Sequence, residues 1–165
     1  MTIEDFNNSN FVLLYNTSES HKKIAQAVQE MWRTALGIEI GLENVEFQVK
    51  LDREKAGDYD ISRGGWIGDF MDPMTILELW WSKSAFNDVN YNNPEYDALL
   101  DEAKSTIDQN IRMEAMRKAE KMVMEDMPVI PVYFYTQPYV LRDGVEGVVK
   151  VPIRYPVITY ADITK

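Results

Sequence analysis

The sequence predicts an α/β fold, with short strands and helices packed in layers. Three observations carry that expectation. Short apolar runs of strand type alternate with helix-period segments through the first half, a helix-rich stretch follows, and cap and stop residues punctuate both. At 165 residues the chain is one domain by size, large enough to bury a core.

The elements follow in order. Phe11 to Tyr15 is an apolar strand run ended by Asn16-Thr17-Ser18. Thr17, Ser18 or Ser20 caps the next helix, whose buried face is expected to carry Ile24, Val28, Met31 and Ala35. Gly37 is placed to end it. Ile38 to Leu42 alternates with period two, the pattern of a half-buried strand. Glu46 to Ala56 is a shorter helix with Phe47 and Leu51 on one side and Gly57 at its end. Tyr59 to Ser62 is a strand running into Gly64-Gly65-Trp66, where residues without Cβ can take unusual backbone angles. Asp72-Pro73 starts a short helix, Met74 to Trp81.

Asn93-Pro94 opens a helix reaching about Ile107. A further helix, Asn110 to Glu125, carries an apolar stripe of Ala115, Met116, Ala119, Met122 and Val123, which suits core filling better than a ligand groove. Val129 to Tyr135 has the density of a buried strand, with Pro131 placing it at an edge or irregularity. The tail from Leu141, with its glycines, prolines and short valine runs, has no clear partner within the chain.

Composition narrows function. A formal net charge of −10 argues against nucleic acid, because no basic patch is available to displace counterions from phosphates. It also disfavours an anionic membrane surface and fits a cationic or zwitterionic partner, although it serves solubility as well. Without cysteine there is no disulfide framework and no thiolate metal site, and the single histidine, His21, rules out a histidine-built one. The apolar runs are too short to span a bilayer, and the N-terminus does not resemble a signal peptide, so an exported natural protein would have lost its beginning here. Catalytic patterns are missing too: no nucleophile elbow, no phosphate-binding glycine loop, and no calcium spacing among Asp58, Asp60, Asp69 and Asp72. A hydrolase using Asp69 and Asp72 stays open without support.

The stretch Asp58 to Pro73 is the most informative. Arg63 precedes the glycine turn, and Trp66, Asp69 and Asp72 follow it. Loops at strand ends are where scaffolds hold recognition groups, and an aromatic platform beside a carboxylate suits an ammonium ligand. A structural Trp with solvated acids around it fits the same stretch. His21 falls in the first turn of its helix, where it could donate to a ligand carboxylate, or be a surface histidine near a cap. A cleft shared with Arg63 would favour the first.

Four separated motifs add a resemblance. Leu14-Tyr15-Asn16-Thr17-Ser18 with His21-Lys22-Lys23, then Asp60 through Asp69, then Asn90 through Asp97, then Pro128 through Tyr135 resemble the oligopeptide-binding proteins of ABC importers, the family 5 extracellular solute-binding proteins. The resemblance runs from about Phe11 to the C-terminus. Family members are several times longer, so it implies a C-terminal fragment: part of the second lobe of a type II periplasmic-binding-protein fold. Residues 1–140 would be a partial α/β lobe, and residues 141–165 a tail crossing to the missing N-terminal lobe.

The resemblance also implies roles. Asp69 occupies the place of the acid that takes a peptide's α-ammonium. His21 and Arg63 match groups that receive the C-terminal carboxylate at certain peptide lengths. Gly65 and Trp66 would flank the peptide, which pairs with the backbone as an added strand. Tyr135 matches a ligand-contacting tyrosine, and Phe47 stands where some members have a tryptophan lining a side-chain pocket. Glu54 departs from the pattern, standing where some carry arginine, which bears on ligand length and terminal preference. Dipeptide, nickel, heme and sugar binders share the fold, but the set Arg63, Trp66 and Asp69 points to peptides.

It implies, finally, an oligopeptide receptor without cofactor or catalysis. An importer permease would be its partner, and the full-length parent would be a periplasmic protein or a cell-surface lipoprotein. The fragment itself would be impaired in binding. The alternative is a self-associating fragment, a homo-dimer exchanging its tail, with Val148, Val149, Val151, Ile153 and Val157 exposed in the single chain.

Overall fold

The computed structural model describes residues 2–151 and 155–164. The chain forms two compact units, Met1–Gly65 and Trp66–Lys165, described separately below.

The first unit is a three-stranded parallel sheet with helices. Helix α1 (Ile3–Asn8) precedes strand β1 (Val12–Asn16), helix α2 (Glu19–Leu36), strand β2 (Gly41–Val45), helix α3 (Phe47–Ala56) and strand β3 (Ile61–Ser62). Strand order is β2-β1-β3, with Val12 opposite Gly41 and Leu13 opposite Ile61. Side chains alternate across the central strand. Leu13 and Tyr15 pack with Ala25 and Ile40, against Phe6 and Trp32, while Leu14 is buried on the other side of the pleat.

Helix α1 escaped the sequence reading, although Thr2 and Asp5 form a reciprocal capping box that signals it. Helix α2 starts after Ser18, and Gly37 ends it in the left-handed conformation at φ 70°. Its buried face is rotated from the expected one. Ala25 is buried, Val28 and Trp32 are half-buried, and Met31 and Ala35 face solvent, because the sheet meets the helix one position away from the chosen stripe. Strand β2 begins later than expected, at Gly41, with Ile40 already in the core beside it. In α3 the buried residue is Lys50 rather than Phe47, which is exposed.

The second unit is helical with a small hairpin. Helix α4 (Met74–Leu77) runs into a 3-10 turn, Glu78–Trp80, and is followed by helices α5 (Pro94–Ser105) and α6 (Gln109–Asp126). The three helices share one core, in which Met74, Leu77, Tyr96, Leu100, Met116 and Val123 are buried together. The Tyr96 hydroxyl donates to the Leu77 carbonyl at 2.6 Å. The Asn93 side chain accepts from the backbone N–H groups of Glu95 and Tyr96, the cap its sequence announced. The Tyr91 hydroxyl and the Asn93 amide both donate to Asp126, so the Asn90–Asp97 motif serves the α5–α6 junction.

The segment expected as a buried strand, Val129 to Tyr135, is neither a strand nor buried: Phe134 is 98% exposed. No described residue pairs with it as a sheet neighbour, and apolar density alone cannot make a strand. Beyond it, β4 (Val145–Glu146) pairs antiparallel with β5 (Asp162–Ile163), and Val149 bridges Val157. Gly147 needs its left-handed backbone here, since a Cβ would meet the Tyr160 carbonyl oxygen at 2.0 Å. Of the tail valines, Val149 and Val157 are exposed and Val148 and Val151 half-buried, while Ile153 lies outside the described residues.

Candidate functional site

In the first unit the candidate residues gather at the carboxyl ends of β1 and β3. The chain leaves β1 for β2 on one side, then returns past β1 to β3 on the other. In open α/β sheets such a reversal opens a crevice beyond the strand ends, where ligands bind. His21 stands in the first turn of α2 just after β1, and Arg63 directly follows β3, its backbone N–H donating to the Leu14 carbonyl at 2.8 Å. Both are half-buried.

His21 Nδ1 lies 2.9 Å from Asn16 Oδ1. An amide oxygen only accepts, so this nitrogen carries the proton, and the lone pair of a neutral ring is on Nε2. Partial burial holds the imidazole below its ordinary pKa of 6.5, and the positive charges of Arg63 and Lys50 act in the same direction. His21 and Arg63, the two residues expected to receive a carboxylate, thus stand at the ends of neighbouring strands.

Sequence reasoning missed Lys50. This lysine is only 4% exposed, and its ammonium lies 2.5 Å from Glu54 Oε1, which also accepts from Ser62 Oγ at 2.6 Å. Glu54 thus ties α3 to the end of β3, one residue before Arg63. The spacing Lys50-Glu54, one helical turn, was the available signal. Phe47 begins α3 with its ring in solvent.

At the glycine turn the expectation of unusual angles is not met at Gly64. Its φ stays outside the left-handed region, and a Cβ there would meet nothing within 4 Å. Gly65 is exposed.

In the second unit the Trp66 and Phe86 rings meet edge to face, with centroids 4.9 Å apart. Asp69 is exposed, and its backbone N–H donates to the buried Thr75 hydroxyl at 2.9 Å, which fixes the loop that presents it. Trp66 and Asp69 line the same pocket. Tyr135 is exposed and packs its ring 5.0 Å from that of Tyr133. Asp72 has a different occupation. Both its oxygens accept from Arg112, and one also accepts from the Met74 N–H. The guanidinium holds this carboxyl below the usual range, ionised and unsuited to donate a proton as a hydrolase acid would. Among the described residues no group of three or more acids and histidines could hold a metal, and no helix is long and apolar enough to cross a membrane.

Comparison with known proteins gives consistent matches. The model of the family described as Bacterial extracellular solute-binding proteins, family 5 Middle, matches residues 2–88. The oligopeptide-binding protein OppA of Bacillus subtilis is 44% identical over 138 residues, which is 83% of this chain and 25% of that relative. The structure of the Escherichia coli murein tripeptide binding protein MppA matches with a TM-score of 0.77 and 38% identity, over 84% of this chain and 27% of that one. The Haemophilus influenzae OppA complex with RPPGFSPFR matches at 0.79 and 34%, over 88% and 30%. The chain spans about a quarter of the length of the curated relatives it matches.

Proposed function

This chain belongs to the bacterial extracellular solute-binding proteins of family 5, and its α/β fold is part of the periplasmic-binding-protein fold; from that premise we propose that it is part of an oligopeptide receptor serving an ABC importer. The observation that carries the reading is the placement of His21 and Arg63 at the carboxyl ends of the neighbouring parallel strands β1 and β3, where the strand order switches sides. In this reading the two receive the peptide's C-terminal carboxylate, and Asp69 receives the α-ammonium. Gly65 and Trp66 flank the peptide backbone, Tyr135 contacts it, and Phe47 lines a side-chain pocket. Residues 1–140 act as a partial lobe, and residues 141–165 as a tail directed to a lobe supplied by the rest of a longer parent.

Physical reasoning supports this division of labour. A receptor for many sequences draws affinity from the backbone and termini that all peptides share. Side chains can then rest in hydrated pockets, where a bridging water costs ~0–2 kcal/mol to hold. Most of the relatives bear peptide names, although one from Escherichia coli is called a probable deoxycholate-binding protein; MppA and the Haemophilus influenzae OppA are called periplasmic, and a location outside the cytoplasm is proposed here on that ground. Incubating the full-length parent with a peptide pool and weighing what it retains tests the proposal. Retained, uncleaved peptides are expected; an empty protein would overturn it, and cleaved peptides would favour a hydrolase.

A second reading has its own observation. Ile130, Val132, Phe134, Val140 and Leu141 form a run of exposed apolar side chains. Contiguous apolar surface tends to find a partner, so this chain on its own is also read as self-associating.

A further inference from the structure

Asp69 stands on a loop held at two points. Its own backbone N–H donates to the Thr75 hydroxyl at 2.9 Å. Three residues later, Asp72 accepts from both terminal nitrogens of Arg112, at 2.7 and 2.9 Å. We propose that Thr75 and Arg112 are positioning residues for the ligand's ammonium group, acting through the loop that carries Asp69; this rests on the reading of Asp69 as the ammonium acceptor.

The turn is shaped first by its own short-range chemistry. The Asp72 N–H donates to the Phe70 carbonyl, the Thr75 N–H to the Asp72 carbonyl, and the Met74 N–H to Asp72 Oδ1. Pro73 adds a φ that its ring fixes, here −57°. These constraints tie the turn only to itself. Arg112 reaches it from α6, 40 residues further along the chain, and α6 shares the buried core through Met116 and Val123. Thr75, 6% exposed, anchors the loop to α4 in the same way.

The bond from Arg112 is unlike the other two-pronged arginine pairs described. Arg33 with Glu30 and Arg117 with Glu114 each join neighbours on one helix in solvent, where a pair is worth little. Arg112 and Asp72 are only 20% and 27% exposed, and their fork fixes orientation as well as distance. Orientation is what Asp69 needs. Its side chain is exposed, and on a slack loop it would have to be ordered each time a ligand arrived. A loop anchored beforehand meets that cost in folding, so the ammonium keeps more of its attraction.

Calorimetry on the full-length parent, with one peptide in free and N-acetylated forms, tests this. The readout is the ratio of the two affinities, because general damage to the fold lowers both alike. Arg112→Gln is expected to cut the free-amine affinity about tenfold and the acetylated one less than about twofold. Thr75→Val, nearly isosteric, removes only the hydroxyl and should cut the ratio about fivefold, and Thr75→Ser should restore it. Should Arg112→Gln not fold, Arg112→Lys keeps the charge without the fork and should cut the ratio about threefold. In an Asp69→Asn background these changes should cost little more, since the group they position is already gone. An unchanged ratio in either the Arg112 or the Thr75→Val variant, or equal losses for the two peptide forms, would overturn the inference while Asp69 keeps its role. Wild-type binding indifferent to N-acetylation would overturn the Asp69 reading, and this inference with it.

Discussion

Lys50 Nζ lies 2.5 Å from Glu54 Oε1, and the same oxygen accepts from Ser62, the residue before Arg63. Helix α3 is thus fastened to the end of β3 by a carboxylate serving two donors, almost shut off from water. Glu54 thus has a structural task, while Arg63 stands at the strand end.

A stability prediction follows from that burial. Glu54→Ala should destabilise the chain by roughly 3–5 kcal/mol in urea unfolding, because it strands a buried ammonium. The double replacement Lys50→Met with Glu54→Leu should be far milder, since apolar groups of similar volume replace both charges. A Glu54→Ala loss under about 1 kcal/mol would contradict the burial of this pair.

The tautomer of His21 gives a pH prediction. With Nδ1–H on Asn16, the ring can donate to a carboxylate through Nε2 only once protonated. Binding should therefore take up a proton, so affinity for peptides that end at His21 should rise as pH falls from neutral through 6.5. It should level off below the lowered value of the free protein. The unliganded chain should move the other way. Its folded imidazole is less basic than the unfolded one, so stability should fall as pH drops through the same window. Calorimetry in two buffers of different ionisation heat, and unfolding of His21→Gln, read these effects; pH-independent binding would contradict the first.

If His21 and Arg63 share the carboxylate, amidating the C-terminus of a matching-length ligand should weaken binding to the parent. Ligands of other lengths should be affected less, because their ends stop elsewhere. A loss from amidation that does not vary with length would argue against the pairing.

Much of this was legible beforehand. Asn93-Pro94 and Gly37 marked helix ends because capping is local chemistry, readable from a few neighbours. The strand–helix alternation through the first half gave the α/β layering, and His21 was placed in its helical turn by counting from the cap. What failed depended on distant partners. The stripe of α2 turned on where the sheet meets it, so Met31 and Ala35 came out exposed. The run Val129 to Tyr135 looked like a strand but has no described neighbour to pair with. Lys50 was missed because a lysine is buried only when a partner such as Glu54 closes over it. The pocket of Trp66 and Phe86 joins residues from two loops, a proximity that no spacing rule contains.

The chain by itself should bind peptide weakly or undetectably and form dimers or larger assemblies. Its exposed run includes Phe134 and Val140 at 98% and 96% exposure, and exchange of a tail between copies is a low-cost way to cover such surface. Light scattering is the check. A clean monomer that binds peptide with micromolar affinity would overturn this expectation.

Asp69 carries the central claim, and one calorimetric comparison on the full-length parent tests it most directly. Wild type and Asp69→Asn are titrated with one peptide in two forms, free and N-acetylated. The account predicts that the free-amine peptide loses roughly 2–5 kcal/mol with the variant, the scale for removing one partner of a charge pair that the ligand buries. The acetylated peptide should bind the wild type weakly and lose much less. Equal losses for the two forms would show that Asp69 does not hold the ammonium.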